Sequence, residues 1–168
     1  MSVRDRQVAA EVAALGSPDS AERAAALRWL GEHAPEVLTT EYATLFTDPA
    51  LAVRAAAAVA LRGASDPALA QRARLALRDL VQGEGEERHA GLRAAAALAN
   101  PTLAPRLALF LTHAEAEIRR LAVRALAAIP PGWLAPTLLR AWREPLLADP
   151  DPDVRAAALA WIAEADEG

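Results

Sequence analysis

The stretch DPALAVRAAAAVAL, residues 48–61, decides how the rest of the chain is read. Its Asp-Pro pair offers a capping carboxylate and a proline whose φ is already set for a first helical turn. Val53, Ala57, Ala58 and Leu61 then fall at −1, +3, +4 and +7 from Arg54, which is one stripe of an amphipathic helix. Most of that stripe is alanine, so a neighbouring helix can approach closely. One such helix cannot bury its stripe alone.

The same pattern returns along the chain. The string RAAA occurs at Arg23, Arg54, Arg93 and Arg155, and alanine-rich composition makes some recurrence easy, so phase has to decide. Seven residues after Arg23, Arg54, Arg119 and Arg155 stand Leu30, Leu61, Leu126 and Ile162. Arg93 breaks this rhythm; Arg88 is the better anchor for the middle unit, which fits least well, with Glu87 and Ala95 at otherwise aliphatic positions. The echo of LAPRL (103–107) in LAPTL (134–138) has the 31-residue separation of Arg88 and Arg119. The anchors are therefore Arg23, Arg54, Arg88, Arg119 and Arg155, spaced by 31, 34, 31 and 36 residues. Five units of that length, each holding two helices, point to an α-solenoid.

Composition agrees. Hydrophobic residues make up 54% of the 168, aromatics only 4%, and Ala and Leu dominate, which favours helix over sheet. The length suits one domain with a real core. Cysteine is absent, which excludes disulfides and thiolate metal sites and fits a reducing compartment. All 18 basic residues are arginine, and the net charge of −4 argues against a general nucleic-acid coat. The charged N-terminus lacks a signal-peptide core, and no apolar run reaches membrane-spanning length. A cytoplasmic, all-helical protein is expected.

Turn signals divide the chain where helix pairs need them, at residues 16–20, 31–35, 47–50, 63–67, 82–86, 99–102, 112–117, 129–132 and 148–153. Ten helices are expected, at 4–15, 20–32, 36–46, 50–63, 67–81, 86–99, 104–112, 115–129, 133–144 and 153–165. They group into units 1–33, 34–64, 65–99, 100–130 and 131–168 of a single domain. REPLLADPDPD (143–153) reads as a loop insertion.

With these motifs in place, the chain resembles the HEAT and HEAT-like repeat family. DPALAVRAAAAVAL and DPDPDVRAAALAWI (149–162) match its second-helix pattern closely, AEAEIRRLAVRAL (114–126) well, SPDSAERAAALRWL (17–30) fairly and GEGEERHAGLRAA (83–95) poorly. The resemblance implies a right-handed α-α superhelix of about five helix pairs. It also implies that Arg23, Arg54, Arg88, Arg119 and Arg155 bond to acidic or carbonyl groups between adjacent repeats, as structural anchors. It specifies function weakly, because such repeats serve mostly as binding surfaces.

No residue set names a reaction, so no catalytic residue, cofactor or metal is expected. GEGEE (83–87) would repel phosphate and reads as a polar turn. DPDPD (149–153) alternates carboxylates but lacks the glycine and the twelfth-position glutamate of a calcium loop, so capping is the better reading. His33, His89 and His113 stand at no ligand spacing. Trp29 and Trp161 share the +6 position in the first and last units, as capping residues would; Trp133 and Trp142 are expected in core or rim packing, with partner binding as the alternative.

If +3, +4 and +7 face the core, +5 faces away from it. That row reads Arg28, Val59, Arg93, Arg124, Ala160, with Arg120 and Arg62 beside it. Exposed helix positions are often charged, so the row is read either as plain surface or as an arginine ridge on the concave face that the family's second helices line. Arginine suits carboxylate and phosphate recognition. The expected function is a non-catalytic scaffold binding a protein or peptide partner, acidic in character, through Arg28, Arg62, Arg93, Arg120 and Arg124. The alternatives are a nucleic-acid module of the kind that excises alkylated bases, disfavoured by the net charge, and a lyase-like accessory protein.

Overall fold

Alanine-rich helices begin where the turn chemistry places them. The computed structural model describes residues 2–134 and 136–167, with the side chains at 131, 136, 138, 139, 166 and 167 left aside. Its α-helices are α1 (Val3–Ala14), α2 (Ser20–His33), α3 (Leu51–Ala60), α4 (Pro67–Gln82), α5 (Gly85–Leu98), α6 (Ala104–Ala108), α7 (Ala116–Ala127), α8 (Pro136–Leu147) and α9 (Pro152–Glu167). Short 3-10 segments join them, and no strand occurs among the described residues. The all-helical expectation holds. Asp19 caps α2 by accepting from the Ala21 amide at 2.8 Å, and Asp66 caps α4, with Pro67 in its first turn.

Several stretches depart from the expected helices; in one, the expected helix 104–112 gives way after Ala108 to a 3-10 segment, Leu109–Thr112. Residues 36–46 form 3-10 segments, Pro35–Val37 and Thr40–Thr47, instead of an α-helix. Thr40, Tyr42, Thr44 and Thr47 are weak α-formers, and the Thr47 hydroxyl donates to the Thr44 carbonyl at 2.9 Å, a local bond that competes with the helical ladder. Conversely, 143–147 is not loop: α8 runs through Pro145 to Leu147. Pro145 sits near the helix end, where the interrupted ladder is short. Leu146 is buried beside it and holds the last turn against the core. Ala135, within the LAPTL echo, lies outside the described residues.

The chain divides into two compact units, residues 1–94 and 95–168, the division falling within α5. In the first, α1 packs on α2, α2 on α3 and α3 on α4. Its core is mostly Ala and Leu, including Ala26, Leu27, Leu30, Ala57, Leu61 and Leu77. Helices come close enough here that two glycines are required. A Cβ on Gly31 would lie 2.8 Å from Ala60, and one on Gly91 would lie 2.5 Å from backbone atoms of Leu80 and Val81. In the second unit α7 packs on α6 and α9, and α8 on α9, around Ile118, Ala122, Leu126, Leu146, Val154 and Ala158.

The stripe read from the sequence is buried almost throughout. At +3, +4 and +7 every residue is buried except Leu159, which is 57% exposed on α9. At +5, Arg28, Arg93, Arg124 and Ala160 are exposed and Val59 is half-buried.

Candidate partner-binding surface

The anchors come first, because they fix which arginines are left to bind anything. In four of them one guanidinium nitrogen, Nη1, donates to the carbonyls six and five residues back. Arg23 reaches Ser17 at 2.8 Å and Pro18 at 3.1 Å; Arg54 reaches Asp48 at 3.0 Å and Pro49 at 3.2 Å. Arg119 reaches His113 at 2.8 Å and Ala114 at 3.0 Å; Arg155 reaches Asp149 at 2.7 Å and Pro150 at 3.0 Å. Each anchor thus staples its helix to the turn before it, satisfying carbonyls that the turn leaves without ladder partners. Arg88 is half-buried at the corresponding place on α5.

The other edge of the guanidinium reaches forward. Arg23 donates from Nε and Nη2 to both carboxylate oxygens of Asp48 at 3.0 and 2.9 Å, and Arg119 does the same to Asp149 at 2.8 Å for both bonds. Fork-to-fork pairs of this kind are the strong form of the arginine–carboxylate bond. Both carboxylates also accept a backbone amide two residues on, from Ala50 and Asp151. Their arginine bonds hold Asp48 and Asp149 below the usual carboxylate pKa, outweighing the opposite push of burial, and raise the pKa of Arg23 and Arg119.

Asp48 and Asp149 occupy one register, six residues before an anchor, and each takes the fork of the anchor one repeat earlier. Sequence reading assigned them to capping. Asp48 instead lies outside α3, whose N-cap is Ala50, and its carboxylate belongs to the lock with Arg23. At the same register the third and fourth repeats carry Gln82 and His113, which cannot supply a carboxylate. Arg54 gives Nη2 to Glu87 instead, a single bond of 2.8 Å to a half-exposed side chain.

The five arginines expected to form the ridge fall in both units. In the first, Arg28 and Arg93 are exposed and Arg62 is half-buried; Arg93 lies 4.0 Å from Glu86. In the second, Arg120 donates to both carboxylate oxygens of Glu117 at 2.8 and 2.7 Å, while Arg124 is exposed in the last turn of α7. Arg120 and Arg124 line one side of a groove of about 470 Å³ between α7 and α9. Asp153 and Glu164 line the other, and Ala156, Ala157, Ala160 and Trp161 are also in the lining. The Trp161 ring is buried, and its indole N–H has no acceptor among the described residues.

The other tryptophans divide. Trp29 is half-buried and stacked on His33, ring centroids 4.7 Å apart. Trp142 is half-buried, whereas Trp133 is 69% exposed and does not pack in a core. Among the described residues, no helix is long and apolar enough to cross a membrane.

No family model matches the chain, and no curated protein matches it. Among solved structures, it is similar to the crystal structure of an engineered protein determined by the Northeast Structural Genomics Consortium. The two share 24% identity over 96% of this chain and 80% of that one, with a TM-score of 0.53, a likeness of fold alone.

Proposed function

We propose that the chain is a non-catalytic, HEAT-like α-solenoid scaffold. It binds an acidic protein or peptide partner through exposed arginines on its second helices, Arg28 on α2, Arg93 on α5 and Arg124 on α7. The division of labour among the arginines carries this reading. Anchors spend their donors on turn carbonyls and buried carboxylates, while Arg28, Arg93 and Arg124 keep theirs at the surface. A guanidinium in solvent beside small side chains offers a planar fork to an incoming carboxylate with little steric obstruction. The alanines lining the α7/α9 groove leave room for a partner segment beside Arg120 and Arg124. The same reading places the protein in the cytoplasm, which a cysteine-free sequence suits.

The test compares a triple variant, Arg28→Gln, Arg93→Gln and Arg124→Gln, with a control that changes the exposed Arg6 and Arg74 to Gln. Proteins captured from the source cell by the unmodified chain should be retained by the control and lost by the triple variant. Association measured with the purified partner should slow most at low salt, because the lost charges act through steering. Retention by the triple variant with loss in the control would place the working surface elsewhere.

A further inference from the structure

Arg54 is an anchor whose forward edge meets no aspartate, because Gln82 stands at the register that Asp48 and Asp149 fill elsewhere. In Arg23 and Arg119 the Nε and Nη2 donors both go to one buried carboxylate. In Arg54 the Nη2 donor alone is used, on Glu87, and Nε donates to no acceptor among the described residues. The side chain is 25% exposed, against 14% and 11% for Arg23 and Arg119.

Arg54 and its partner Glu87 line a cleft of about 360 Å³, contained within the first unit. Its lining combines Arg54 and Glu87 with Arg72, Phe46, Leu75 and Leu80. Arg72 lies over the Phe46 ring, 5.6 Å from its centroid, so a second guanidinium is held at the cleft by a cation–π contact. Leu75 is 38% exposed, an apolar side chain left at the surface on the same wall. Asp79 also lines the cleft, but Arg78 binds it at 2.9 Å and offsets its charge. Phe46 reaches this wall from the 3-10 segment Thr40–Thr47.

We propose that this cleft is a docking site for an acidic side chain of a partner polypeptide, with an apolar neighbour covering Leu75 and Phe46. The incoming carboxylate completes the Arg54 fork as Asp48 completes that of Arg23, displacing Glu87, whose single exposed bond is the weaker competitor. A polypeptide is favoured over a free anion because the chain fills the equivalent slots with aspartates whose geometry is set by a following backbone amide. The site goes beyond the proposed arginine ridge: none of Arg28, Arg62, Arg93, Arg120 or Arg124 lines it.

The chain's own lock segment supplies a probe. A blocked hexapeptide of residues 46–51, FTDPAL, and its asparagine form FTNPAL are titrated into the full chain, following arginine Nε–H and leucine methyl resonances by NMR. The aspartate peptide should move Arg54 Nε–H and the Leu75 methyls saturably, leaving Arg28, Arg93 and Arg124 unmoved. The asparagine peptide should bind at least tenfold more weakly. Glu87→Ala, which removes the internal competitor, should tighten the aspartate peptide several-fold, and Leu75→Ser should weaken it several-fold. Equal binding of the two peptides, no binding up to the solubility limit, or equal displacement by sodium acetate would each overturn the proposal. Shifts confined to Arg28, Arg93 and Arg124 would overturn it while supporting the ridge.

Discussion

Replacing Asp149 by asparagine removes one charge from the more deeply buried of the two locks. Arg119 and Asp149 are 9% and 7% exposed, so water cannot take over the lost partner. Breaking a buried pair on one side costs about 3–5 kcal/mol, because the remaining charge stays desolvated. Asparagine keeps one acceptor oxygen, worth about 1 kcal/mol, and Arg119 keeps its bonds to His113 and Ala114. The expected loss for Asp149→Asn is therefore about 2–4 kcal/mol. For a chain of this size that lowers Tm by on the order of 10 °C. Urea and thermal unfolding followed by far-ultraviolet ellipticity measure it, with Asp153→Asn as an exposed control expected to stay within about 0.5 kcal/mol. The double variant Arg119→Met, Asp149→Leu should recover much of the loss, since removing both charges also removes both desolvation penalties. If Asp149→Asn behaves like Asp153→Asn, the lock contributes nothing and the reading of the anchors fails.

Three further outcomes follow from the same structure. Asp48 and Asp149 have folded-state pKa values below the ordinary value of about 3.9, so the unfolded chain takes up their protons first as pH falls. Their contribution should be complete above about pH 5 and decline as pH drops through 4 towards the folded values, and a Asp48→Asn, Asp149→Asn variant should show a flatter acid limb in urea midpoints. Gly91→Ala should destabilise by about 3 kcal/mol or more in thermal melts, since its Cβ would sit 2.5 Å from backbone that cannot yield. Gly132→Ala, with nothing within 4 Å, should leave Tm unchanged. Leu61→Ala should cost about 2–5 kcal/mol in denaturant melts, because Leu61 is fully buried at the +7 position.

The stripe, the anchor positions and the outward +5 row were legible in the sequence because each depends on local helical phase, whereas the bonding of the anchors was implied by the family resemblance. Arg54 and Leu61 belong to one short segment whatever packs on it. The family resemblance implied acidic partners for the anchors, but which aspartates complete the locks was not legible. Arg23 finds its aspartate 25 residues on and Arg119 finds its own 30 residues on, so no fixed offset marks the pair. Beside a proline, each aspartate also reads as a helix cap, and only the packing of successive repeats turns it towards an arginine. The same limit hid the Arg54 cleft. In 36–46 the weak α-formers Thr40, Tyr42 and Thr44 were the only sign against an α-helix, and the segment that carries Phe46 was read as one. Leu159 repeats the +4 pattern yet is exposed, because periodicity states which face a residue is on and not whether a neighbour covers it.

Hydrogen exchange of the arginine Nε–H groups, resolved by NMR, tests most directly whether the arginines divide into locks and free surface groups. The Nε–H of Arg23 and Arg119 donate to Asp48 and Asp149 at 3.0 and 2.8 Å, whereas Arg28, Arg93 and Arg124 stand exposed at the surface. The account predicts slow exchange for the first pair, accelerated at Arg119 by Asp149→Asn, and fast, solvent-like exchange for the other three. Exchange of Arg23 and Arg119 as fast as that of Arg28 and Arg124 would contradict it.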